Sequence, residues 1–174
     1  MSLSLCLLLD AGAEQAVRRL WRQLEEDDLP SLVRHTHGRH VPHLTLATLG
    51  GTAWTSVPDA LAGLPEARPE PVVFQAFGSF TRSRCSLLPA VPVALMVRHE
   101  RIVEALLAAG IEVHRHYLPG AWLPHLTVAT RSPVEALPRI ARRVYEVLPL
   151  PAVLERLAVV DTRTGEVHPL SRLV

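Results

Sequence analysis

The sequence predicts an α+β protein in which a strand–helix–strand–helix–strand–strand unit is duplicated about a pseudo-twofold axis, with mixed or antiparallel sheets around a central cleft. The first reason is a repeat: residues 42–48 read PHLTLAT and residues 124–130 read PHLTVAT, 82 positions further on. The second is that segments with helical apolar spacing alternate with short apolar segments bounded by Gly or Pro. Such interleaving, with two hairpins, is typical of α+β domains. We therefore expect one bilobal domain over 1–174, with lobes at about 1–89 and 90–174 that can exchange strands.

Lobe one begins with an apolar strand, and the Asp10 that follows favours the N-cap of a helix. Apolar residues then recur at helical spacing with Arg and Glu between them, which predicts an amphipathic helix ending near 25–28. Gly50 and Gly51 end the first motif strand, and a short helix is expected near Pro58. The other predicted elements are, in order, strand 2–9, loop 30–41, motif strand 43–49, strand 71–80 and strand 85–88.

Lobe two is expected to repeat this order. Gly110 favours the end of its first helix, and residues 164–165 favour a turn between the last two strands. The second helix has two candidate starts: the capping box 132–135, or Pro138, which suits a first helical turn better than a helix interior. The predicted elements are, in order, strand 91–97, a helix around 102–107, a loop with His114, His116 and Tyr117, motif strand 123–131, a helix within 133–148, strand 154–161 and strand 166–173.

Each copy of the repeat carries a His and a Thr two positions apart, His43 with Thr45 and His125 with Thr127. Residues i and i+2 of a strand point to the same face, about 6–7 Å apart. An imidazole and a hydroxyl therefore share one face in each copy, while the intervening Leu points to the other. If the two strands meet at the cleft, these side chains supply a general acid, a general base and donors for an oxyanion.

Composition excludes several classes of function. The formal net charge is only +1, which does not favour extended nucleic acid or a membrane surface as a partner. No apolar run approaches the roughly 18 residues of a membrane span. All 18 basic residues are arginine, so P-loop, Schiff-base and lysyl-nucleotide chemistry is excluded. Cys6 and Cys85 are too few for a disulfide framework or a zinc site, so we expect buried thiols in a cytoplasmic protein.

The motif segments resemble a known family. HLTLATLG at 43–50 and WLPHLTVATR at 122–131 are similar to the paired signatures of the two-histidine (2H) phosphoesterases, most closely the 2′-5′ RNA ligase-like and cyclic phosphodiesterase branch. Chain length, motif separation and bilobal order match as well, so the resemblance spans nearly the whole chain. It implies chemistry on phosphodiesters without metal or cofactor, with RNA 3′ ends or small cyclic nucleotides as partners.

The resemblance also implies roles for individual residues. By position, His43 and His125 are the acid–base pair, and Thr45 and Thr127 hold the phosphoryl oxygens. Many members carry an aromatic residue at the position of Thr48.

Many members also carry an Arg at the position of Thr130, whereas here the Arg follows one residue later, as Arg131. A regular strand would bring Arg131 to the face of His125. We therefore predict that Arg131, together with Tyr117, binds the substrate.

Hydrolysis of a 2′,3′-cyclic phosphate requires one group to deprotonate water and another to protonate the departing ribose oxygen. Two imidazoles with an ordinary pKa of about 6.5 can hold opposite protonation states near neutrality. With an RNA 5′-hydroxyl in place of water, the reverse reaction is a 2′-5′ ligation. The residues leave open which histidine is the acid, and whether hydrolysis or ligation dominates.

Other interpretations stand beside this one. Residues 31–43 contain four His and no acid, which fits a metal cluster of a metal-dependent hydrolase, a phosphate-binding rim or a solvated loop. The same fold could serve as a non-catalytic module that binds RNA ends or nucleotides. Trp54, Trp122 and Tyr117 could stack on a base, although core packing is the expectation for each Trp. We predict no metal and no cofactor, and a monomer.

Overall fold

The computed structural model of the protein describes residues 3–33, 35–81 and 83–174. Ser2 of the predicted first strand and Arg34 of the predicted loop lie outside the described residues. The strands are β1 (Leu3–Leu9), β2 (His43–Gly50), β3 (Glu70–Phe80), β4 (Arg84–Ala90), β5 (Glu112–Val113), β6 (Leu126–Ala129), β7 (Leu150–Asp161) and β8 (Val167–Pro169). The helices are α1 (Ala11–Glu26), α2 (Val57–Ala60), α3 (Val93–Ala108) and α4 (Leu137–Tyr145), and single 3₁₀ turns cover Trp54–Ser56, Arg115–Tyr117 and Val134–Ala136.

In the described part of the chain, the strands form one eight-stranded open sheet with the order β5-β2-β1-β7-β3-β4-β6, and β8 pairs with β7. All pairings are antiparallel. When β5 and β8 are left out, the strand order is symmetric about its centre: β2 corresponds to β6, β1 to β4, and β7 to β3. The predicted α+β class and the pseudo-twofold duplication are confirmed. The axis passes through the pairing of β3 with β7, where Val72 lies opposite Ala152.

The prediction of a strand at 91–97 is wrong. These residues enter α3, with Pro92 at the N-cap and Leu95 on the buried face of the helix. A short apolar run with three valines does not distinguish a strand from a buried helix face. The segment is helical because a helix buries Leu95 together with Ile102 and Leu106 in the core. The strand that corresponds to β1 is therefore β4. The lobe boundary near residue 89 stays a prediction.

Several local signals are confirmed. The Asp10 carboxylate accepts hydrogen bonds from the backbone N–H groups of Gly12 and Ala13 and so caps α1. Pro138 lies in the first turn of α4, which decides between the two candidate starts of that helix. Gly110 has a φ of +75° just after α3, as a helix-ending glycine requires.

Each long helix packs on the motif strand of the other half of the sequence. The helix α1 contacts β6, and α3 contacts β2. The same exchange holds in the sheet, because β7 of the second half pairs with β1 and β3 of the first, and β4 of the first half pairs with β6 of the second. The two motif strands are consequently supported by elements that are distant in sequence.

Candidate active site

The two motif copies have the same pattern of burial at all seven positions. Pro, Leu, the Leu or Val after Thr, and Ala are buried, whereas His and both Thr residues are partly exposed. The alternation expected from the sequence therefore holds for His43, Thr45, His125 and Thr127. Their side chains lie on the open face of the sheet, and the apolar side chains of both copies enter the core.

Both motif strands contain a β-bulge at the same motif position. Along β1, Cys6 is opposite Thr45 and Leu5 is opposite Ala47, so Leu46 is skipped. Along β4, Ser86 is opposite Thr127 and Cys85 is opposite Ala129, so Val128 is skipped. An extra residue in one strand breaks the alternation of side chains beyond it.

The bulge corrects one step of the sequence interpretation. A regular strand would have brought Arg131 to the face of His125, but the bulge at Val128 moves that face to Thr130, and β6 ends at Ala129. Arg131 itself has a φ of +55°, outside any strand conformation. The premise of a regular strand was therefore wrong, and Arg131 lies beyond the strand end.

The two imidazoles are held in the same way. Nδ1 of His43 lies 2.7 Å from the carbonyl oxygen of Val41, and Nδ1 of His125 lies 2.8 Å from that of Leu123. Because a carbonyl oxygen only accepts hydrogen bonds, each Nδ1 donates its proton to it. In the neutral ring Nε2 is then unprotonated and available to accept a proton.

The two motif strands approach each other although they lie far apart in the strand order. β2 contacts β6, and the indole Nε1–H of Trp122 donates a hydrogen bond of 2.9 Å to the carbonyl oxygen of Thr45. Burial lowers the pKa of His43 and of His125, and the positive charge of His125 lowers the pKa of His43 further. The imidazoles are thus close enough to influence each other's charge.

Trp122 belongs to a buried support behind the first motif. Its ring is stacked on that of His99 with 3.9 Å between the centroids, and only 6% of Trp122 is exposed. His99 hydrogen-bonds through Nε2 to the carbonyl oxygen of Tyr117 at 3.0 Å, and also to the backbone of the bulge residue Leu46. Core packing is confirmed for Trp122. It is wrong for Trp54, which lies at the surface with its ring stacked on that of His168 at 4.2 Å.

Buried polar groups lie opposite both motif threonines. Cys6 Sγ is 3.8 Å from Thr45 Oγ1, and burial raises the pKa of this thiol to about 12, so it is uncharged. Ser86 lies opposite Thr127, and its buried hydroxyl has no hydrogen-bond partner among the described residues. Cys85 is also a free buried thiol, so the expectation for both cysteines is confirmed.

Two residues beside His125 were not predicted from the sequence. The ring of Phe80 lies 4.9 Å from that of His125, and the charge of Arg84 lowers the pKa of His125. Phe80 and Arg84 are opposite each other at the turn end of the β3–β4 hairpin. The hairpin itself was predicted, but Arg84 precedes the predicted strand 85–88, and the pairing of β4 with β6 that brings this end of the hairpin to the second motif joins strands distant in sequence.

The two predicted substrate-binding residues lie in different places. Tyr117 is in the 3₁₀ turn that contacts β2, where its carbonyl accepts from His99 and its ring meets that of His114 edge to face at 6.4 Å. Arg131 is exposed at the end of β6. Burial lowers the pKa of His35, and the charge of Arg131 lowers it further.

The His-rich loop forms a cluster of rings. His37 and His40 lie 4.1 Å apart between centroids, and His35 and His40 lie 5.7 Å apart. Desolvation and neighbouring histidines lower the pKa of His40 to about 4. Across 3–33, 35–81 and 83–174, no group of three or more His, Cys, Asp or Glu side chains is arranged to hold a metal ion. No helix in these ranges is long and apolar enough to cross a membrane.

Comparisons with known proteins agree with the geometry. The family model described as the 2′-5′ RNA ligase superfamily matches residues 10–166. No curated protein matches the sequence. Among solved structures, a phosphoesterase shares 17% identity over 98% of this chain and 95% of its own, with a TM-score of 0.62.

Two further structures carry nucleotides. Escherichia coli LigT complexed with 3′-AMP shares 15% identity over 98% of this chain and 94% of its own, with a TM-score of 0.64. Kluyveromyces marxianus Usb1 with uridine monophosphate shares 14% identity over 97% of each chain, with a TM-score of 0.51. At these identities the likeness establishes the fold.

Proposed function

The chain belongs to the 2′-5′ RNA ligase superfamily of 2H phosphoesterases, and from this we propose that it is a metal-independent phosphodiesterase that opens 2′,3′-cyclic phosphates at RNA 3′ ends or in nucleotides. The observation that supports this most directly is the matched pair of imidazoles. Each has its Nδ1 proton donated to a backbone carbonyl two residues earlier, and each can present Nε2 to the space between the motif strands.

In the proposed reaction, Nε2 of one histidine takes a proton from water as the water oxygen bonds to phosphorus. The other histidine, protonated on Nε2, gives its proton to the ribose oxygen as the P–O bond breaks. The product is a ribose monophosphate with one free hydroxyl. Reversing the roles of His43 and His125 changes which ribose oxygen leaves.

The proposed role of the threonine hydroxyls is to stabilise the negative charge on the phosphoryl oxygens. Thr45 and Thr127 share the open face with the two histidines, and each hydroxyl can donate to a non-bridging oxygen, where negative charge builds up in the transition state. Both hydroxyls are held on paired β-strand backbone, which restricts their positions before the substrate arrives.

The lowered pKa values favour neutral imidazoles in the free protein, and therefore a ready general base. A general acid requires one ring to stay protonated. A bound phosphodiester anion between the two rings raises the pKa of both, because it stabilises the charged form. The substrate itself thus helps to charge the acid.

Ligation is the second candidate, since it uses the same groups with an RNA 5′-hydroxyl as the acceptor and since the family description names a 2′-5′ RNA ligase. Nucleotide-bound relatives, LigT with 3′-AMP and Usb1 with uridine monophosphate, support a nucleotide as ligand for either reaction. We keep Arg131 and Tyr117 as proposed substrate-binding residues.

The test is a panel of 2′,3′-cyclic nucleotides, RNA ending in a cyclic phosphate, and 2′-5′-linked oligonucleotides, assayed with EDTA and no added metal. We expect hydrolysis of a cyclic phosphate, with the position of the product phosphate read by chromatography. Activity that disappears with chelator and returns with zinc would contradict the two-histidine mechanism and indicate a metal site in the His-rich loop. Binding without turnover of any member would favour the non-catalytic module.

A further inference from the structure

We propose that a second phosphate subsite lies beside His125, built by Thr130, His35, Arg84 and Arg131, so that the preferred substrate carries a phosphate group besides the cyclic one. This inference rests on the proposed function for its assignment of the reacting phosphate. It names the class of substrate more narrowly: a nucleotide or RNA end with a neighbouring phosphate, rather than an isolated cyclic nucleoside phosphate.

The subsite begins where a loop of the first half reaches the second motif. His35 Nδ1 lies 3.2 Å from Thr130 Oγ1, although the two residues are 95 positions apart. The bulge at Val128 turns Thr130 to the open face that also carries His125 and Thr127. The His35–Thr130 contact therefore lies on the same face as the reacting groups.

Two arginines flank this contact because of the strand register. Cys85 is opposite Ala129, and the backbone N–H of Ser132 donates 3.0 Å to the carbonyl oxygen of Ser83. Arg84 and Arg131 are the neighbours of these paired residues, at the same end of the β4–β6 ladder. In agreement, the charges of both arginines lower the pKa of His35.

The same register connects the subsite to the reacting centre. Phe80, opposite Arg84, places its ring 4.9 Å from that of His125. The charge of Arg84 lowers the pKa of His125 as well as that of His35, so Arg84 lies near both histidines. A second phosphate at Thr130 would thus be close enough to belong to the same substrate molecule.

The positive charge at this end is not compensated. In the part of the chain that the structure describes, neither Arg84 nor Arg131 is paired with a carboxylate, whereas Arg143 binds Asp27 at 2.6 Å. The loop 31–43 contains no acid. Arginines without carboxylate partners beside a hydroxyl donor are suited to a phosphate, which guanidinium binds through two parallel hydrogen bonds.

The first motif has no such surroundings. The residue equivalent to Thr130 is Thr48, whose hydroxyl lies 3.4 Å from that of Ser4, a neutral and buried partner. Beside the second motif, the strand position equivalent to Ser4 is occupied by Arg84, because each directly precedes the residue that lies opposite the motif alanine, Leu5 or Cys85. The second phosphate is therefore assigned to the His125 side.

The first experiment uses the unaltered protein and compares kcat/KM for three substrates: adenosine 2′,3′-cyclic phosphate, the same compound with a 5′-phosphate, and a dinucleotide ending in a 2′,3′-cyclic phosphate. A charge-assisted contact to the added phosphate should raise kcat/KM at least about tenfold, mainly through KM. The 5′-phosphate and dinucleotide arms distinguish a terminal phosphate from an internucleotide one. Equal values for all three substrates would overturn the subsite.

The second experiment asks whether the named residues carry this gain. Arg131→Asn suits the positive φ of this position, and His35→Ala removes the ring at Thr130. Each should reduce the ratio of kcat/KM between the phosphorylated and unphosphorylated substrates toward one. Arg101→Ala, at an exposed position on α3, should leave that ratio unchanged. A ratio that persists in both subsite variants would refute the assignment.

A binding measurement separates this inference from the proposed function. Calorimetry compares 3′-AMP with adenosine 3′,5′-bisphosphate, neither of which needs to react. We expect the bisphosphate to bind at least about tenfold more tightly, and Arg131→Asn to remove most of the difference. If no cyclic phosphate is hydrolysed but this difference is present, the proposed reaction fails and the subsite stands. If hydrolysis occurs without the difference, the reverse holds.

Discussion

The strands β2 and β6 have nearly the same sequence and the same local geometry, but different neighbours. Both have the same burial pattern, the same bulge after the Thr and the same Nδ1 contact. β2 is covered from behind by Trp122 and His99, and Thr48 faces a serine. β6 ends among Arg84, Arg131 and His35. The motif residues can thus share one chemistry, while the neighbours distinguish the two sides of the cleft.

The largest expected effect concerns the feature that the two strands share. His43→Ala and His125→Ala should each reduce kcat at least about 100-fold on a cyclic phosphate, because each removes one proton transfer. The double variant should lose little more than the single ones, since both groups act in one step. Steady-state kinetics with circular dichroism as a fold check measures this.

His116→Ala is the matched control, because His116 is exposed in the turn before the second motif. It should keep its full rate. A double variant of His43 and His125 that retained a near-normal rate would exclude both from the reaction.

Thr45→Ala and Thr127→Ala should each lower kcat about tenfold, since a hydrogen bond to the charged phosphoryl group is lost while proton transfer survives. Thr48→Ala removes a hydroxyl from the same strand on the other side of the bulge, where that hydroxyl lies 3.4 Å from the Ser4 hydroxyl. It should lower kcat less than Thr45→Ala does. Equal losses of kcat in the two variants would contradict the assignment of Thr45, rather than Thr48, to the phosphoryl oxygens.

Trp122→Phe tests the support that only the first motif has. It keeps the stacked ring but removes the indole donor to Thr45, and it should lower kcat a few-fold with little change in KM. Trp21→Phe is a close control: Trp21 is also buried, but its Nε1 has no partner among the described residues. It should leave kcat unchanged. If both substitutions had equal effects on kcat and on thermal stability, Trp122 would contribute through packing and not through its hydrogen bond.

The smallest effect is a displacement of the pH profile. The pKa values of His43 and His125 are both lowered by burial, and the reactive free protein needs one ring neutral and one charged. The bell-shaped profile of kcat/KM, which reports the free protein, should therefore peak below pH 6.5. The profile of kcat should peak at higher pH, because bound phosphate raises both pKa values.

NMR titration refines this comparison. In His125→Ala the pKa of His43 should rise, since the positive charge opposite it is gone. A maximum of kcat/KM above pH 8, or an unchanged titration of His43, would contradict the mutual influence of the two rings.

Much of the fold could be predicted because it depends on local signals. Asp10 is an N-cap residue wherever it precedes a helical pattern, and α1 has one apolar face over its whole length. The run 91–97 was misjudged because its valines suit a strand locally, while its helical state depends on the core that α3 joins through residues as distant as Ile102. Arg131 was misplaced because a bulge is a property of two paired strands, and Cys85 and Ser86 lie more than 40 residues earlier.

The sequence by itself determined that two His-x-Thr units exist, that each faces one side of a strand, and that lysine and disulfide chemistry is excluded. These properties follow from residue type and from the period of a strand. Only the tertiary structure decided what surrounds each unit. The Trp122–Thr45 and His35–Thr130 hydrogen bonds join residues 77 and 95 positions apart. Such contacts depend on the curvature of the sheet and on its registers, which no local pattern of side chains encodes.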